Sequence, residues 1–127
     1  MIHQRSTVVV ANDPLAERTF RVRLHCPEVA TAIRPGQFVM LRLAGIDDPL
    51  LGRPFALYDT VLDADGAAVG IDVVYLVVGK MTGLLAEVRP GDRLDVWGPL
   101  GNGFPDHDGA GHVVCVAGGI GQTPFLA

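Results

Sequence analysis

The sequence predicts an all-β protein: a six-stranded antiparallel barrel with one short helix, followed by the first strand of an α/β nucleotide-binding domain. Three observations lead to this prediction. Apolar and polar residues alternate along most of the chain before residue 100, as they do in half-buried strands. Turn-forming proline, glycine, asparagine and aspartate separate the alternating segments at short intervals. After residue 111, an apolar run leads into a glycine-rich loop, which is the order in which a nucleotide-binding domain begins.

Each predicted strand is a short run of alternating or continuous apolar residues bounded by turn residues. In chain order, the strands are residues 7–11, 18–24, 37–43, 54–60, 69–78 and 93–97. Asn12-Asp13-Pro14 is expected to form the turn between the first two, and Arg34-Pro35-Gly36 leads into the third. Short strands with tight turns favour a closed antiparallel barrel, because closure leaves no sheet edge exposed.

Residues 82–88 are the one segment that interrupts the period-two pattern. Thr82 can cap a short helix by accepting a backbone N–H bond. Leu84, Leu85 and Val88 then fall on one helical face. We therefore expect a single short helix between the last two strands.

The carboxyl-terminal residues predict the beginning of a second domain. Residues 112–117 have the apolar composition of a buried strand, and residues 118–121 follow as a phosphate-binding loop of the kind that opens a helix. Residues 104–111, rich in glycine and aspartate, are the predicted linker. We expect the barrel over residues 1–103 and the truncated start of the nucleotide-binding domain over residues 112–127.

The composition and charge argue against several functional classes. The net charge is −4 with no basic run, which disfavours binding to nucleic acid. The longest apolar run, residues 73–78, is far shorter than the roughly 18 residues that a membrane-spanning helix needs. The amino terminus lacks the basic start and apolar stretch of a signal peptide, so we expect a cytoplasmic location.

Cysteine and histidine usage predicts neither a disulfide nor a metal site. The two cysteines, Cys26 and Cys115, are far apart and lie within apolar strand patterns, so both are expected to be buried free thiols. The four histidines are dispersed without the spacing of metal ligands. No side chain stands out as a general acid or base, which fits hydride transfer better than hydrolysis.

Three glycine-marked segments could contact an anion or a ring. Arg53, held extended by the proline that follows it, could direct its guanidinium at a phosphate, although a lone Arg-Pro pair is usually a surface feature. Lys80 and Thr82 lie among glycines at a helix start, where backbone amides can approach an anion, but an ordinary helix start has the same composition. Trp97 and Phe104 flank a glycine-rich turn and are expected in the core more often than beside a cofactor.

In this order and spacing, the three segments resemble the ferredoxin-NADP reductase superfamily, in which a flavin-binding barrel precedes a nicotinamide-nucleotide domain. Within that superfamily, the chain is most similar to the electron-transfer subunits of type B dihydroorotate dehydrogenases. The resemblance covers nearly the whole chain. The segments that carry it are Gly79-Lys80-Met81-Thr82, Pro90-Gly91-Asp92-Arg93-Leu94-Asp95-Val96 and Gly98-Pro99-Leu100-Gly101-Asn102-Gly103-Phe104.

The resemblance implies that the barrel binds flavin adenine dinucleotide (FAD). Arg53 would pair with the pyrophosphate, and Pro54, Phe55 and Ala56 would run beside the isoalloxazine ring. The middle strand would face the flavin, the helix start would complete the diphosphate site, and the glycine loop would belong to the nicotinamide side. The residues implied in these three roles are, in turn, Val74, Tyr75 and Leu76; Lys80, Met81 and Thr82; and Gly118, Gly119, Ile120 and Gly121.

Three residues depart from the pattern of the superfamily. Ala56 stands where serine or threonine is usual, so a backbone N–H is expected to replace the hydroxyl that contacts the reactive edge of the flavin. Phe55 keeps the ring of the commoner tyrosine without its hydroxyl. Met81 replaces the commoner glycine and is expected to narrow the approach to the phosphate. These departures predict altered flavin reactivity or potential rather than loss of flavin binding.

The implied function is electron transfer in pyrimidine biosynthesis. Electrons from dihydroorotate would leave the FMN of a catalytic partner subunit, cross a 2Fe-2S cluster, reach FAD and pass as a hydride to NAD⁺. The cluster cysteines and half of the NAD site would lie beyond Ala127, so the 127 residues alone are expected to be inactive with NADH. Two alternatives stay open: another NAD(P)H reductase that serves a ferredoxin, flavodoxin or hydrogenase, and a non-catalytic flavin-binding module. An unpaired strand at residues 113–117 could also support self-association.

Overall fold

The structure, a computed structural model, describes all residues from 1 to 127. It contains seven β strands, two short α helices and a carboxyl-terminal 3-10 helix. No helix is both long enough and apolar enough to cross a membrane. The elements are β1 His3–Ala16, β2 Thr19–His25, α1 Pro27–Ala32, β3 Phe38–Leu43, β4 Arg53–Ala56, β5 Asp59–Leu62, β6 Ala68–Leu76, α2 Lys80–Leu85, β7 Arg93–Leu100 and the 3-10 helix Ile120–Phe125.

The strands form one curled antiparallel sheet in the order β4-β3-β7-β1-β2-β6-β5. Its two edge strands, β4 and β5, are consecutive in the chain and are separated only by Leu57 and Tyr58. The Leu57 amide donates to the Gln37 carbonyl beside β3 (3.1 Å), whereas the Tyr58 amide donates to the Asp72 carbonyl on β6 (2.9 Å). The chain thus crosses from one edge of the sheet to the other and brings the edges together. The predicted all-β antiparallel class is confirmed.

The sheet closes around a core of 18 buried apolar residues. The period-two pattern positions them, as β3 illustrates: Val39, Leu41 and Leu43 face inward, and the residues between them are half-buried. Both helices cover the core with apolar residues, Val29 and Ala30 from α1 and others from α2. The alternation in the sequence therefore corresponds to the inner and outer faces of one sheet.

The segment predicted as a single strand over residues 54–60 is two strands. Residues 53–56 pair with β3 at one edge of the sheet, and residues 59–62 pair with β6 at the other edge. Apolar alternation cannot reveal this break, because Leu57 is buried at the crossing point just as it would be inside a continuous strand. The barrel consequently has seven strands rather than six.

The predicted turn at Asn12-Asp13-Pro14 is wrong, because β1 continues through it to Ala16. The turn lies at residues 17–18, where Arg18 has a φ of +51°. Pro14 is tolerated within β1 because β7 pairs only with the first half of that strand, up to Val8. Beyond that point β1 has one neighbour, so the missing N–H of Pro14 costs no ladder bond on the open side.

Helix α1 was not predicted from the sequence. It has only six residues, which is too short for a periodic apolar pattern to emerge. Its local cues are Pro27 in the first turn and buried Val29 and Ala30. Cys26 immediately before it is buried as predicted, although it precedes a helix rather than lying within a strand.

The carboxyl-terminal segment contradicts the predictions of a buried strand and of a buried Cys115 thiol. Residues 112–117 form no strand and are exposed throughout, and Cys115 among them is an exposed thiol. A strand is held by the hydrogen bonds of a neighbour, and within residues 1–127 no strand pairs with this segment. Its apolar side chains, including Val114 and Val116, therefore contact solvent. The helix expected after the glycine loop is present only as the 3-10 helix.

Trp97 and Phe104, expected in the core, are also on the surface. Trp97 is 51% exposed and Phe104 is 46% exposed. Strand alternation explains Trp97, because Leu94 and Val96 occupy the inward positions of β7 and Trp97 points outward. Phe104 instead packs against Phe125 of the 3-10 helix, with ring centroids 6.0 Å apart.

Candidate functional site

A cavity of about 510 Å³ opens between β4, the end of β6, the start of α2 and the 3-10 helix. We call it the β4–β6 cleft. Its volume is within the range of small-molecule sites, and half of its sixteen lining residues are apolar. Twelve of the fourteen predicted site residues line it: Arg53, Pro54, Phe55, Ala56, Val74, Tyr75, Leu76, Lys80, Met81, Thr82, Ile120 and Gly121. Gly118 and Gly119 do not. The lining residues that the sequence did not predict are Val78, Gly79, Thr123 and Pro124.

The cleft exists because β6 extends beyond its neighbour β5. The last β5 partner along β6 is Asp72, opposite Asp59, whereas β6 continues to Leu76. On its other side, β6 pairs with β2, and the Val77 amide donates to the Arg18 carbonyl (2.8 Å). In an antiparallel pair, every second residue of a strand hydrogen-bonds to the neighbouring strand. Because Val77 bonds to the β2 side, Tyr75 does so too. Val74 and Leu76 therefore direct their N–H and C=O groups away from β2, into the cleft.

Strand β4 contributes backbone groups from the opposite wall. The Leu57 amide bonds to Gln37, and Phe38 lies opposite Ala56 in the pairing of β3 with β4. Because every second residue of an antiparallel strand bonds to its neighbour, this bond shows which residues of β4 face β3. Phe55 then bonds to β3, and Ala56 directs its N–H and C=O outward. This geometry agrees with the expectation that a backbone N–H of Ala56 is available where relatives carry a hydroxyl. Unpaired backbone donors and acceptors thus face the cleft from both walls.

Two aromatic residues of the cleft, Phe55 and Tyr75, belong to a cluster of three rings. Tyr75 stacks on Phe20 at a centroid distance of 5.7 Å, and it meets Phe55 edge-on at 6.2 Å. Such pairs favour a fixed ring arrangement. Burial raises the pKa of Tyr75 to about 12, although its hydroxyl donates to Asn12 Oδ1 at 2.9 Å. The phenol is therefore a neutral hydrogen-bonded group at physiological pH.

Thr82 organises the start of α2. Its Oγ1 accepts hydrogen bonds from the amides of Val78 (2.9 Å) and Gly79 (3.1 Å), which confirms that it satisfies backbone N–H groups. It does so from the third helical position, with Gly79 at the N-cap, because α2 begins two residues earlier than predicted. Its hydroxyl donates to the Gly79 carbonyl (3.3 Å). The hydroxyl is therefore committed to the turn that precedes the helix.

The side chain of Met81 is buried in the core rather than directed at the helix start. Its substitution for glycine therefore does not narrow the approach to the helix amides, and that expectation is wrong. The physical reason is the phase of α2, which turns position 81 toward the core. The amides of Lys80 and Met81 belong to the first helical turn, where an α helix leaves its N–H groups without internal partners.

Both cations of the cleft contact the loop between β3 and β4. The Arg53 guanidinium is exposed and donates to the carbonyls of Leu51 (3.0 Å) and Gly52 (3.4 Å). Lys80 forms an ion pair with Asp48, and both side chains are largely exposed. Exposed contacts of this kind contribute little to stability, so either cation can exchange its partner for an anionic ligand.

The comparison with protein families gives the class of this barrel: an FAD-binding domain of an oxidoreductase. Residues 8–104 match the family described as the oxidoreductase FAD-binding domain, and the chain belongs to that family. The dihydroorotate dehydrogenase B (NAD(+)) electron transfer subunit of Geobacillus thermodenitrificans is 40% identical over 127 residues, a match that covers 98% of this chain and 48% of the relative. The chain thus spans about half the length of the curated relatives it matches.

Solved structures show the same architecture. An NADH-dependent reduced ferredoxin-NADP oxidoreductase, described in work on flavin-based electron bifurcation, is 34% identical, with a TM-score of 0.67 over 78% of this chain and 34% of that one. An Amycolatopsis cytochrome P450 reductase is 28% identical, with a TM-score of 0.77 over 98% of this chain and 37% of that one. Both similarities agree with assignment to the FAD-binding family.

Proposed function

We propose that the β4–β6 cleft holds the isoalloxazine ring and pyrophosphate of FAD, within an electron-transfer subunit that exchanges electrons between dihydroorotate oxidation and NAD. The observation that carries the proposal is the convergence of twelve predicted residues on one cleft with unpaired backbone groups on both walls. The 40% identity to a dihydroorotate dehydrogenase electron transfer subunit supports the particular reaction. Bound FAD would supply the redox chemistry, and the protein would supply position and electrostatics.

The side walls of the cleft suit the ring of the flavin. An isoalloxazine ring presents hydrogen-bond donors and acceptors along its polar edge. The outward backbone groups of Ala56, Val74 and Leu76 would pair with that edge, while Phe55 and Tyr75 would pack against the ring system. With Ala56 the contact comes from a backbone amide that no side-chain rotation can withdraw.

The cations suit the diphosphate. Arg53 would bond two phosphate oxygens through its planar guanidinium, after releasing the carbonyls of the β3–β4 loop. Lys80 would add a charge, and the amides of Lys80 and Met81 would contribute donors. Thr82 would act indirectly, by holding the turn before the helix. Gly118, Gly119, Ile120 and Gly121 would contact the nicotinamide nucleotide.

For the whole protein we propose a barrel over residues 1–103, a linker over residues 104–111 and an NAD-binding domain from residue 112. We also propose a catalytic partner subunit that contains FMN. A 2Fe-2S cluster on the parent protein and a cytoplasmic location are predictions of the same kind. The exposed apolar residues near Val114 could support self-association.

A second candidate function is that of a different NAD(P)H reductase. It is favoured by the 34% identity to a ferredoxin-NADP oxidoreductase and the 28% identity to a cytochrome P450 reductase. The partner distinguishes the two candidates. Co-purification of the parent protein with a dihydroorotate-oxidising subunit supports the first, and reduction of a ferredoxin or flavodoxin without such a subunit supports the second.

Flavin retention by the chain tests the proposed site directly. The purified chain, incubated with FAD and passed through gel filtration, should keep a visible flavin spectrum. Arg53→Ala should weaken binding roughly 10- to 100-fold, because it removes charge-assisted hydrogen bonds to the pyrophosphate. Fluorescence titration with FAD gives the Kd of each protein.

Arg89→Ala is the matched control, because Arg89 is an exposed arginine outside the cleft. It should bind FAD like the wild type. A colourless wild-type chain that takes up no added FAD would refute the proposed site, and equal weakening by both substitutions would show that Arg53 acts only through overall charge.

A further inference from the structure

Asn12 on β1 uses every polar atom of its side chain to join two elements of the cleft. Its Nδ2 donates to the carbonyl of Leu85 (2.8 Å), the last residue of α2, and to that of Val88 (3.0 Å), three residues further along the chain. Its Oδ1 accepts from the Tyr75 hydroxyl on β6 (2.9 Å). Carbonyl oxygens only accept, so the amide nitrogen must face α2 and the oxygen must face Tyr75.

Two of these bonds, to the Val88 carbonyl and to the Tyr75 hydroxyl, satisfy groups that have no other hydrogen-bond partner. The Val88 carbonyl accepts from Asn12, whereas the Leu85 carbonyl also accepts from the Val88 amide (3.1 Å). The Tyr75 hydroxyl belongs to a residue that is only 2% exposed, so losing its acceptor would leave a polar group buried without a hydrogen bond.

The two elements that Asn12 joins are opposite parts of the lining. The start of α2 contributes Lys80, Met81 and Thr82, and β6 contributes Tyr75, whose ring meets Phe55 of β4. Helix α2 has only six residues, so a shift at its carboxyl end moves its amino end as a rigid body. Asn12 itself does not line the cleft.

We propose that Asn12 is a positioning residue for the flavin: by binding Tyr75 and the end of α2 at once, it fixes the spacing between the ring-binding wall and the diphosphate-binding helix. The inference rests on the proposed function, because it concerns the fit of FAD. It extends that function to a residue outside the motifs and outside the cleft.

Three substitutions and one control separate the contribution of the two bonds to Leu85 and Val88 from that of the bond to Tyr75. Asn12→Ala removes all of these bonds. It should weaken FAD binding roughly tenfold or more, because the loss of even one hydrogen bond that positions the site lowers affinity by about that factor. Tyr75→Phe removes only the bond to the hydroxyl and should weaken binding less. Asn12→Asp keeps an acceptor for Tyr75 but cannot donate to α2. Gln4→Ala, an exposed amide on the same strand, is the control.

The double variant Asn12→Ala/Tyr75→Phe tests whether the two residues act as a unit. If they do, Tyr75→Phe should cost little further affinity once Asn12 is alanine. FAD titrations give the affinities. The visible absorption band and the reduction potential of bound FAD report ring position, which a merely destabilised fold would leave unchanged in the molecules that still bind. Both should shift in Asn12→Ala and not in Gln4→Ala.

Hydrogen exchange in the FAD-free chain supplies an independent measurement. The amides of Gly83 and Ala86 bond within α2 (2.9 and 3.0 Å), and Asn12→Ala should speed their exchange. An Asn12→Ala protein with wild-type affinity, spectrum and potential overturns the inference. A wild-type chain that binds no FAD refutes the proposed function instead. In that case hydrogen exchange still tests whether Asn12 stabilises α2. Unchanged exchange in Asn12→Ala would show that it does not.

Discussion

Cys26 and Tyr75 are the two buried groups whose protons the folded protein retains most firmly. Burial raises the pKa of the Cys26 thiol to about 12, and it raises that of the Tyr75 phenol to about 12. Neither group can ionise near neutral pH without entering water. Cys26 is therefore an inert core residue, whereas the thiol of Cys115 is exposed.

These shifts predict a loss of stability in alkali. The ordinary pKa values are 9.0 for the thiol and 10.0 for the phenol, so the unfolded chain releases both protons at a lower pH than the folded chain does. The stability they contribute is complete below about pH 9 and falls as the pH rises toward 12. Urea unfolding at several pH values should show this fall.

Cys26→Ala and Tyr75→Phe should each flatten the dependence of the unfolding free energy on pH, whatever constant change they cause at pH 8. Parallel profiles for the wild type and both variants would contradict the assignment of these protons to Cys26 and Tyr75.

Single residues also mark where sequence reasoning worked and where it did not. The position of Arg53 and Ala56 in the cleft could be predicted because both residues lie in one contiguous motif on a single strand. Asn12 could not, since its role depends on contacts 63 and 73 residues away along the chain. An asparagine next to Asp-Pro predicts a turn locally, and only the tertiary structure reveals its bonds.

Helix α2 shows how a short element is held by contacts at both ends. Thr82 bonds the turn before it, Asn12 donates to the carbonyl of its last residue, Leu85, and the Leu85 side chain is buried in the core. A helix of six residues is unstable alone, so these contacts decide whether it forms.

Thr82→Ala should destabilise the protein by about 1 kcal/mol, the usual cost of losing a side-chain cap at a helix start. Thr82→Ser keeps the hydroxyl and should lie much closer to the wild type. Chemical denaturation measures both differences. An alanine variant as stable as the wild type would mean that water replaces the hydroxyl without cost.

The strands were predicted wherever one face is buried and the other is exposed to solvent, because that environment favours alternating apolar and polar residues. The pattern failed where pairing, not burial, defines the element. Leu57 is buried within the break between β4 and β5, and Pro14 lies on a stretch of β1 that has one neighbour. At residues 112–117 the apolar pattern is present but the partner strand is not.

The carboxyl-terminal segment carries several exposed apolar side chains close together in sequence. Val114 and Val116 are 76% and 84% exposed. Val113, which precedes them, lines one cavity together with Phe125. Unpaired apolar segments promote association between copies. The net charge of −4 opposes such association only weakly at physiological salt.

We therefore expect the chain to self-associate as its concentration rises, and Val116→Asp should reduce this. Leu62→Asp is the control, because Leu62 is a similarly exposed apolar residue on β5. Sedimentation velocity over a range of concentrations gives the mass of each species. A wild-type chain that stays monomeric throughout, or equal effects of both substitutions, would contradict a role for residues 113–117.

The outward backbone groups of Ala56, Val74 and Leu76 have a further consequence. A flat ligand that bonds to both β4 and β6 stands where an additional strand would stand, and it completes the hydrogen bonding that the chain leaves open. Folding and cofactor uptake then become one equilibrium, in which FAD at about 100 times its Kd adds roughly 2.7 kcal/mol to the stability of the barrel. The supply of flavin in the cell would thereby set how long such a barrel survives proteases as well as how fast it transfers electrons.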